Sequence, residues 1–240
     1  MGVYSIIDVA KRDAPQCSGS LMRLFLAVIL SALVSTRPGS AASSPRVVDG
    51  DTLELNGVVY RLHGIDAPEA GQKCSKPSGK SWDCGKAAIS ALEKLVLGKA
   101  VECDDRGQDG YGRTIGVCKV GTDDINATMV ATGNAWAFRK YSTEYADLED
   151  QAHQSHIGIW ITDKQTTPWD YRAEKWTLGQ QEAPDGCPIK GNISANGHIY
   201  HTPWSPWYKK TKINVDEGER WFCDEAEAIK AGWRAPYWGR

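Results

Sequence analysis

The sequence carries almost no net charge, very little phenylalanine and no long apolar run. Its 28 Lys and Arg stand against 30 Asp and Glu, a formal net charge of -2. That balance excludes a strongly basic coat for nucleic acid, so any anion binding has to be built locally. No stretch reaches the roughly 18 apolar residues a spanning helix needs. Only 3 Phe are present, against 10 Trp and 9 Tyr, so the aromatic surface is carried by side chains with a polar handle. Hydrophobic residues make up 41% and charged residues 24% of 240, which excludes wholesale disorder. The length fits one large domain, or a medium one with a small companion.

Leu24 to Val34 is apolar apart from one Ser, with Arg23 before it and Ser40-Ala41-Ala42 after it. The basic, apolar, small-residue order predicts a secretory signal peptide over 1–42. A buried N-terminal helix and a retained anchor are the competing readings. Met22 abuts the apolar run and is the expected translation start, with cleavage after Ala42. The reading is an exported protein, periplasmic or extracellular, with no stable membrane insertion after cleavage. Cys17 falls in the leader and six cysteines remain, an even set that implies disulfides in an exported chain. Six cysteines allow fifteen pairings. Spacing ranks Cys74–Cys84, Cys103–Cys118 and Cys187–Cys223 first without proving them.

Strand-like runs lie at Pro45 to Val48, Thr52 to Leu55, Val58 to Ile65, Ala100 to Cys103 and Ile115 to Val120. Asn56-Gly57 is a type I′ hairpin signal between the second and third. Helices are expected over Gly85 to Leu97, Asp124 to Thr132 and Thr143 to His156, each followed by a glycine that suits the C′ position. The fold class expected is α+β: a five-stranded OB-type β-barrel braced by three helices, plus a small disulfide-stapled C-terminal module. The domain layout is 43–176 for the barrel, 177–186 for a polar linker and 187–240 for the Trp-rich module.

Chemistry concentrates in four places: Asp49-Gly50-Asp51-Thr52, Arg61, Asp66-Ala67-Pro68-Glu69 and Tyr111-Gly112-Arg113. On a hairpin, Asp51 and Asp66 would lie side by side. Two adjacent carboxylates repel unless one is protonated or a cation sits between them, and oxygen ligands favour Ca²⁺ or Mg²⁺. Two arginines, a metal ion and a free carboxylate suit phosphodiester hydrolysis, in which extra negative charge builds up at phosphorus.

The runs Val48 to Thr52, Arg61 to Glu69 and Asp109 to Arg113, together with Gly158-Ile159-Trp160, resemble the staphylococcal nuclease (thermonuclease) family over about residues 46–161. The resemblance implies that Asp51, Asp66 and the backbone carbonyl of Ala67 hold Ca²⁺, with Mg²⁺ the lesser alternative. It implies that Arg61 and Arg113 clamp phosphate and stabilise charge, and that Glu69 takes a proton from water or positions it. It makes Tyr111 a phosphate contact and places Asp49 close to the metal without touching it. The implied reaction cleaves DNA or RNA to 3′-phosphorylated products, with single-stranded or locally open nucleic acid as partner. Gly110 departs from the family, whose best-known member has a lysine near substrate phosphate there. Tyr141 or Phe138 is the candidate for stacking on a base, with core packing the equal alternative for Phe138. Residues 43–178 contain 16 Lys and Arg and 20 Asp and Glu, a difference of -4, so long-range attraction for polyanions is weak. The competing function is a catalytically silent barrel that binds nucleic acid or the cell envelope.

In the module, Asp224 and Glu227 form a capping box before a short helix. Cys187, Cys223, His198 and His201 are a conceivable Cys₂His₂ zinc set, but no paired short Cys spacing supports it, and export favours a disulfide. Its tryptophans read as core, with glycan, base or wall binding as the alternative.

Overall fold

The computed structural model describes residues 44–238. The expected signal segment, its Met22 start and Cys17 lie outside them. Strands β1 (Arg46–Asp49), β2 (Thr52–Leu55) and β3 (Val58–Leu62) form an antiparallel meander. Asn56 and Gly57 both have positive φ, 54° and 82°, the left-handed backbone that the tight β2–β3 turn requires. Helix α1 (Cys84–Val96) follows, then β4 (Val101–Gln108) and β5 (Thr114–Val120). Strand β3 pairs in parallel with β5, and β5 pairs antiparallel with β4, so the hydrogen-bonded order is β1-β2-β3-β5-β4. Helices α2 (Ile125–Ala131) and α3 (Ala146–Gln154) pack behind the sheet. The core between them holds Leu53, Leu62, Ile65, Leu92, Val96, Ile125 and Met129, all essentially inaccessible to solvent.

Two expectations are corrected. The barrel is not closed by hydrogen bonds: among the described residues no pairing joins β1 to β4. The outer edge of β1 is taken by the C-terminus instead, where Trp238 N–H donates to Val47 O at 2.7 Å. The far half of β4, Asp104 to Gln108, is exposed and charged, which discourages further strand pairing. The helix count also differs. Among the described residues five α-helices are present where three for the barrel and one for the module were expected. The addition is α4 (Pro168–Glu182), which runs through the first six residues of the expected linker 177–186. Thr167 caps it by accepting Asp170 N–H, and Pro168 fills the first turn, where no N–H is needed.

Beyond α4, β6 (Ile189–Ser194), β7 (Gly197–His201) and β8 (Arg220–Phe222) make an antiparallel sheet in the order β7-β6-β8. Helix α5 (Glu225–Lys230) is capped by Asp224, whose carboxylate accepts Glu227 N–H at 2.7 Å. Ile189, Tyr200, Phe222, Ala228 and Trp233 form a separate small core. All three disulfides of the expected pairing are present. Cys103 and Cys118 stand opposite each other on β4 and β5. The Cys187–Cys223 bond consumes both thiolates that a zinc site would have used. Such bonds persist in oxidising compartments, periplasmic or extracellular. No helix among the described residues is long and apolar enough to cross a membrane.

Candidate active site

Strand register assembles the site. Thr52 pairs with Arg61 across β2 and β3, and Leu62 N–H donates to Asp51 O at 2.8 Å, so Asp51 sits beside the end of β3. Tyr60 pairs with Thr114 across the parallel β3–β5 contact, which sets Arg113 level with Val59 at the start of β3, and its charge reaches Asp49. The expected return strand Val58 to Ile65 breaks at His63-Gly64, and Ile65-Asp66 pairs with Trp136-Ala137 instead. The break turns Asp66 back toward Arg61. The Arg61 guanidinium then bridges both aspartates: Nη1 contacts Asp51 Oδ1, and Nη2 donates to Asp66 Oδ1 at 2.9 Å. Ala67 N–H donates to Asp51 Oδ2 at 2.6 Å, which fixes the second carboxylate oxygen.

Glu69 is held by a small scaffold. Its N–H donates to Gln72 Oε1 at 3.1 Å, and its carbonyl accepts Gln72 N–H at 2.7 Å. Gly85, in the first turn of α1, lies so close that a Cβ there would stand 1.8 Å from Glu69 O. Only glycine permits that approach. The adjacent Cys74–Cys84 bond ties the loop to the same helix end.

The electrostatics follow from burial. Burial pushes the Glu69 carboxyl up to about 7, against the pull of Arg172. Burial raises Asp49 as well, despite Arg61 and Arg113. Asp66 is fully buried, but Arg61 and Arg172 outweigh its desolvation and hold it below the usual carboxylate range. Arg113 Nε donates to Asp109 Oδ2 at 2.7 Å, and its charge also faces Glu225 and Asp49.

The structure brings Asp51, Asp66, Ala67, Arg61 and Glu69 together, with Arg113 across Asp49 from them. Tyr111 is 41% exposed and lies under the Arg113 guanidinium, 5.3 Å from its ring centre. Tyr141 is 69% exposed and meets Phe138 edge-on at 4.9 Å, outside the carboxylate cluster. Phe138 itself stacks on Trp169 at 5.4 Å. His63 faces Glu144, and His153 pairs with Asp163, so neither joins the cluster.

Sequence reasoning missed the residues that the C-terminal half contributes. Arg172 of α4 donates from Nη1 and Nη2 to Asp66 at 3.0 and 2.8 Å, and from Nη1 to Glu69 Oε1 at 2.7 Å. Glu225 at the start of α5 accepts the Tyr200 hydroxyl at 3.0 Å and faces Arg113. Thr167-Pro168-Trp169-Asp170 carries a helix-start signal that could have located α4, but nothing local marks Arg172 as a partner of Asp66.

Among the described residues no group of three or more His, Cys, Asp or Glu side chains is arranged to hold a metal ion. Asp51 and Asp66 are still separated by no more than one guanidinium, and their donors are the hard oxygens that Ca²⁺ or Mg²⁺ takes. The residues fit such an ion wherever the arginines yield.

The family model described as Staphylococcal nuclease homologue matches residues 59–162, and a second model, ArfC, matches residues 172–235. The chain is 32% identical to the succinoglycan biosynthesis protein ExoI of Rhizobium meliloti over 168 residues, covering 66% of this chain and 87% of the relative. It is 34% identical to an uncharacterized endonuclease of Escherichia coli O157:H7 over 137 residues, covering 54% and 83%. It is 29% identical to a micrococcal nuclease of Shigella flexneri over 170 residues, covering 64% and 92%.

Proposed function

The chain belongs to the staphylococcal nuclease family, and from that premise we propose that it is an exported, Ca²⁺-dependent nuclease that hydrolyses DNA and RNA to 3′-phosphorylated products. The observation that carries this reading is the guanidinium of Arg61 bridging Asp51 and Asp66, with Glu69 and Arg113 in the same field. Asp51, Asp66 and the Ala67 carbonyl would hold Ca²⁺. When bound, the ion offsets phosphate charge and polarises the ester. Arg61 and Arg113 orient the phosphodiester and stabilise the charge that builds on its oxygens. Glu69, poised near neutrality by burial, orients water or accepts its proton. Tyr111 braces Arg113 and adds a phosphate contact, and Tyr141 offers an exposed ring for a base beyond the cluster.

One observation favours a second reading, a barrel that binds without turnover: Arg172 already saturates Asp66 and Glu69. A cleavage assay on single-stranded DNA and RNA decides between them. With added Ca²⁺ the purified protein cleaves both, excess chelator abolishes cleavage, and Glu69→Gln or Arg113→Ala lowers turnover by about 10²–10³-fold. Unchanged cleavage in chelator removes the metal assignment, and no cleavage under any cation leaves the binding barrel.

A further inference from the structure

A groove of about 680 Å³ lies outside the carboxylate cluster, on the face of the C-terminal module. Arg46, Lys210, Lys212 and Arg234 line it with Trp207 and Tyr237, and no Asp or Glu does. Residues 179–240 contain eight basic and eight acidic side chains, so a groove taking three of the former and none of the latter concentrates charge that the chain as a whole lacks. The aromatic rings are fixed within it. Arg234 lies 4.2 Å and Arg46 5.3 Å from the Tyr237 ring centre, Glu54 at the margin takes the Tyr237 hydroxyl, and Trp207 packs 4.6 Å from Trp238. Pro236 lines both this groove and a narrow cleft that contains Asp49 and Glu69. The two openings are therefore neighbours across one residue.

We infer that this groove is a second binding site for single-stranded nucleic acid and holds the strand that runs on from the cleavage cluster across Pro236. The inference rests on the nuclease reading for what occupies the cluster, and goes beyond it in giving the C-terminal module a substrate. Cations track phosphates, and flat rings accept bases of any sequence, a pairing characteristic of single-strand grooves. An acidic polysaccharide would use the cations as well, but nothing would then explain why the groove adjoins Asp49 and Glu69. The groove also supplies locally the attraction for a polyanion that the acidic barrel half does not.

The test is fluorescence anisotropy with a labelled oligothymidylate long enough to span cleft and groove, in chelator so that nothing is cut. The variant is Lys210→Glu with Lys212→Glu, two exposed side chains outside the cluster. Binding weakens at least tenfold, and the slope of log affinity against log salt falls by about 1.4, roughly 0.7 for each lost phosphate contact. In parallel, Ca²⁺-supported hydrolysis of a dinucleotide-sized ester, too short to reach the groove, stays at the wild-type rate. Unaltered affinity and slope overturn the inference, and so does a wild-type protein that binds acidic polysaccharide but not the oligonucleotide. If neither protein hydrolyses the short ester while the binding difference stands, the nuclease reading fails and the groove survives. Photo-crosslinking of a bromodeoxyuridine oligonucleotide to the wild type gives a readout independent of the variant's folding. Adducts at Trp207 or Tyr237 are expected, and adducts at Tyr111 alone overturn the inference.

Discussion

The barrel half and the C-terminal half are held together by different means. In residues 46–161 a main core of eighteen buried side chains joins strands to helices, a smaller cluster of Cys74, Cys84, Trp136 and Ile159 lies beside it, and the two disulfides are built into these cores. In residues 168–238 the core is five buried side chains, one disulfide ties its ends, and much of what surrounds it is contact with the first half. Trp238 packs on the larger core, Trp204 O lies 2.9 Å from where a Cβ on Gly71 would stand, and Arg172 reaches Asp66. The contrast teaches that a small module can be specified by a staple and a docking partner where its own burial is thin.

The largest expected effect therefore comes from the staple. Replacing Cys187 and Cys223 by Ser opens a loop of sequence separation 36, which costs about 3–4 kcal/mol on the chain-entropy account. Thermal unfolding should show the C-terminal half loosening first, as early protease cleavage within 187–238, while the barrel core stays protected. If the double variant melts like wild type, docking alone sustains the module and the contrast fails.

A second difference is electrostatic. His201 is buried in the module, its Nε2–H donating to Asn192 Oδ1 at 3.1 Å and its Nδ1 accepting from Ser205 at 3.2 Å. Burial, aided by the charge of Lys190, depresses its pKa to about 4. The unfolded chain binds a proton near 6.5 and the folded chain does not, so the stability from keeping this imidazole neutral is present above pH 6.5 and is lost as pH falls toward 4. The full loss is at most about 3 kcal/mol, reduced by whatever solvent reaches the ring. His201→Gln should flatten the pH dependence of the melting midpoint between 6.5 and 4, and an unchanged slope would remove His201 as its source.

The halves also differ in how far the sequence betrays them. The barrel's chemistry is readable because its residues sit in short contiguous runs whose register the hairpin and the parallel β3–β5 contact dictate. Asp51, Arg61, Asp66, Glu69 and Arg113 are brought together from four such runs. The break at His63-Gly64 was hidden, because alternation continues through it, and so was the open edge of β1, because what covers it is Trp238, nearly two hundred residues away. In the C-terminal half the cap and strand of α5 are local and were legible. Helix α4 was not, because its last residues, Thr177 to Glu182, are mostly polar with a Gly and read as linker, and Trp176 finds its core only by tertiary packing. Arg172 and Glu225 owe their place at the cluster to tertiary docking, which no local pattern encodes.

That docking makes a sharper prediction at the cluster. Arg172 supplies a positive charge to Asp66, the carboxylate a divalent ion would share with it, and to Glu69 beside it. Arg172→Ala should lower the Ca²⁺ concentration that half-saturates cleavage about tenfold, roughly 1.4 kcal/mol of relieved competition. A collapse of turnover with an unchanged Ca²⁺ requirement would instead make α4 a working part of the site.

The smallest effects test whether the halves unfold as one. Asp124 accepts Ala127 N–H at 2.9 Å to cap α2 in the barrel, and Asp224 accepts Glu227 N–H at 2.7 Å to cap α5 in the module. The chemistry is the same, so each Asp→Ala change should cost about 1 kcal/mol locally. Because Trp238 closes the edge of β1 and Arg172 binds Asp66, opening either half exposes the other, and the described residues form one compact unit. Both variants should therefore shift a single calorimetric transition by similar amounts. A shift from Asp224→Ala confined to a separate, lower transition would show that the contacts between the halves are weaker than the cap itself, and the module would then be a tethered neighbour of the barrel rather than part of its fold.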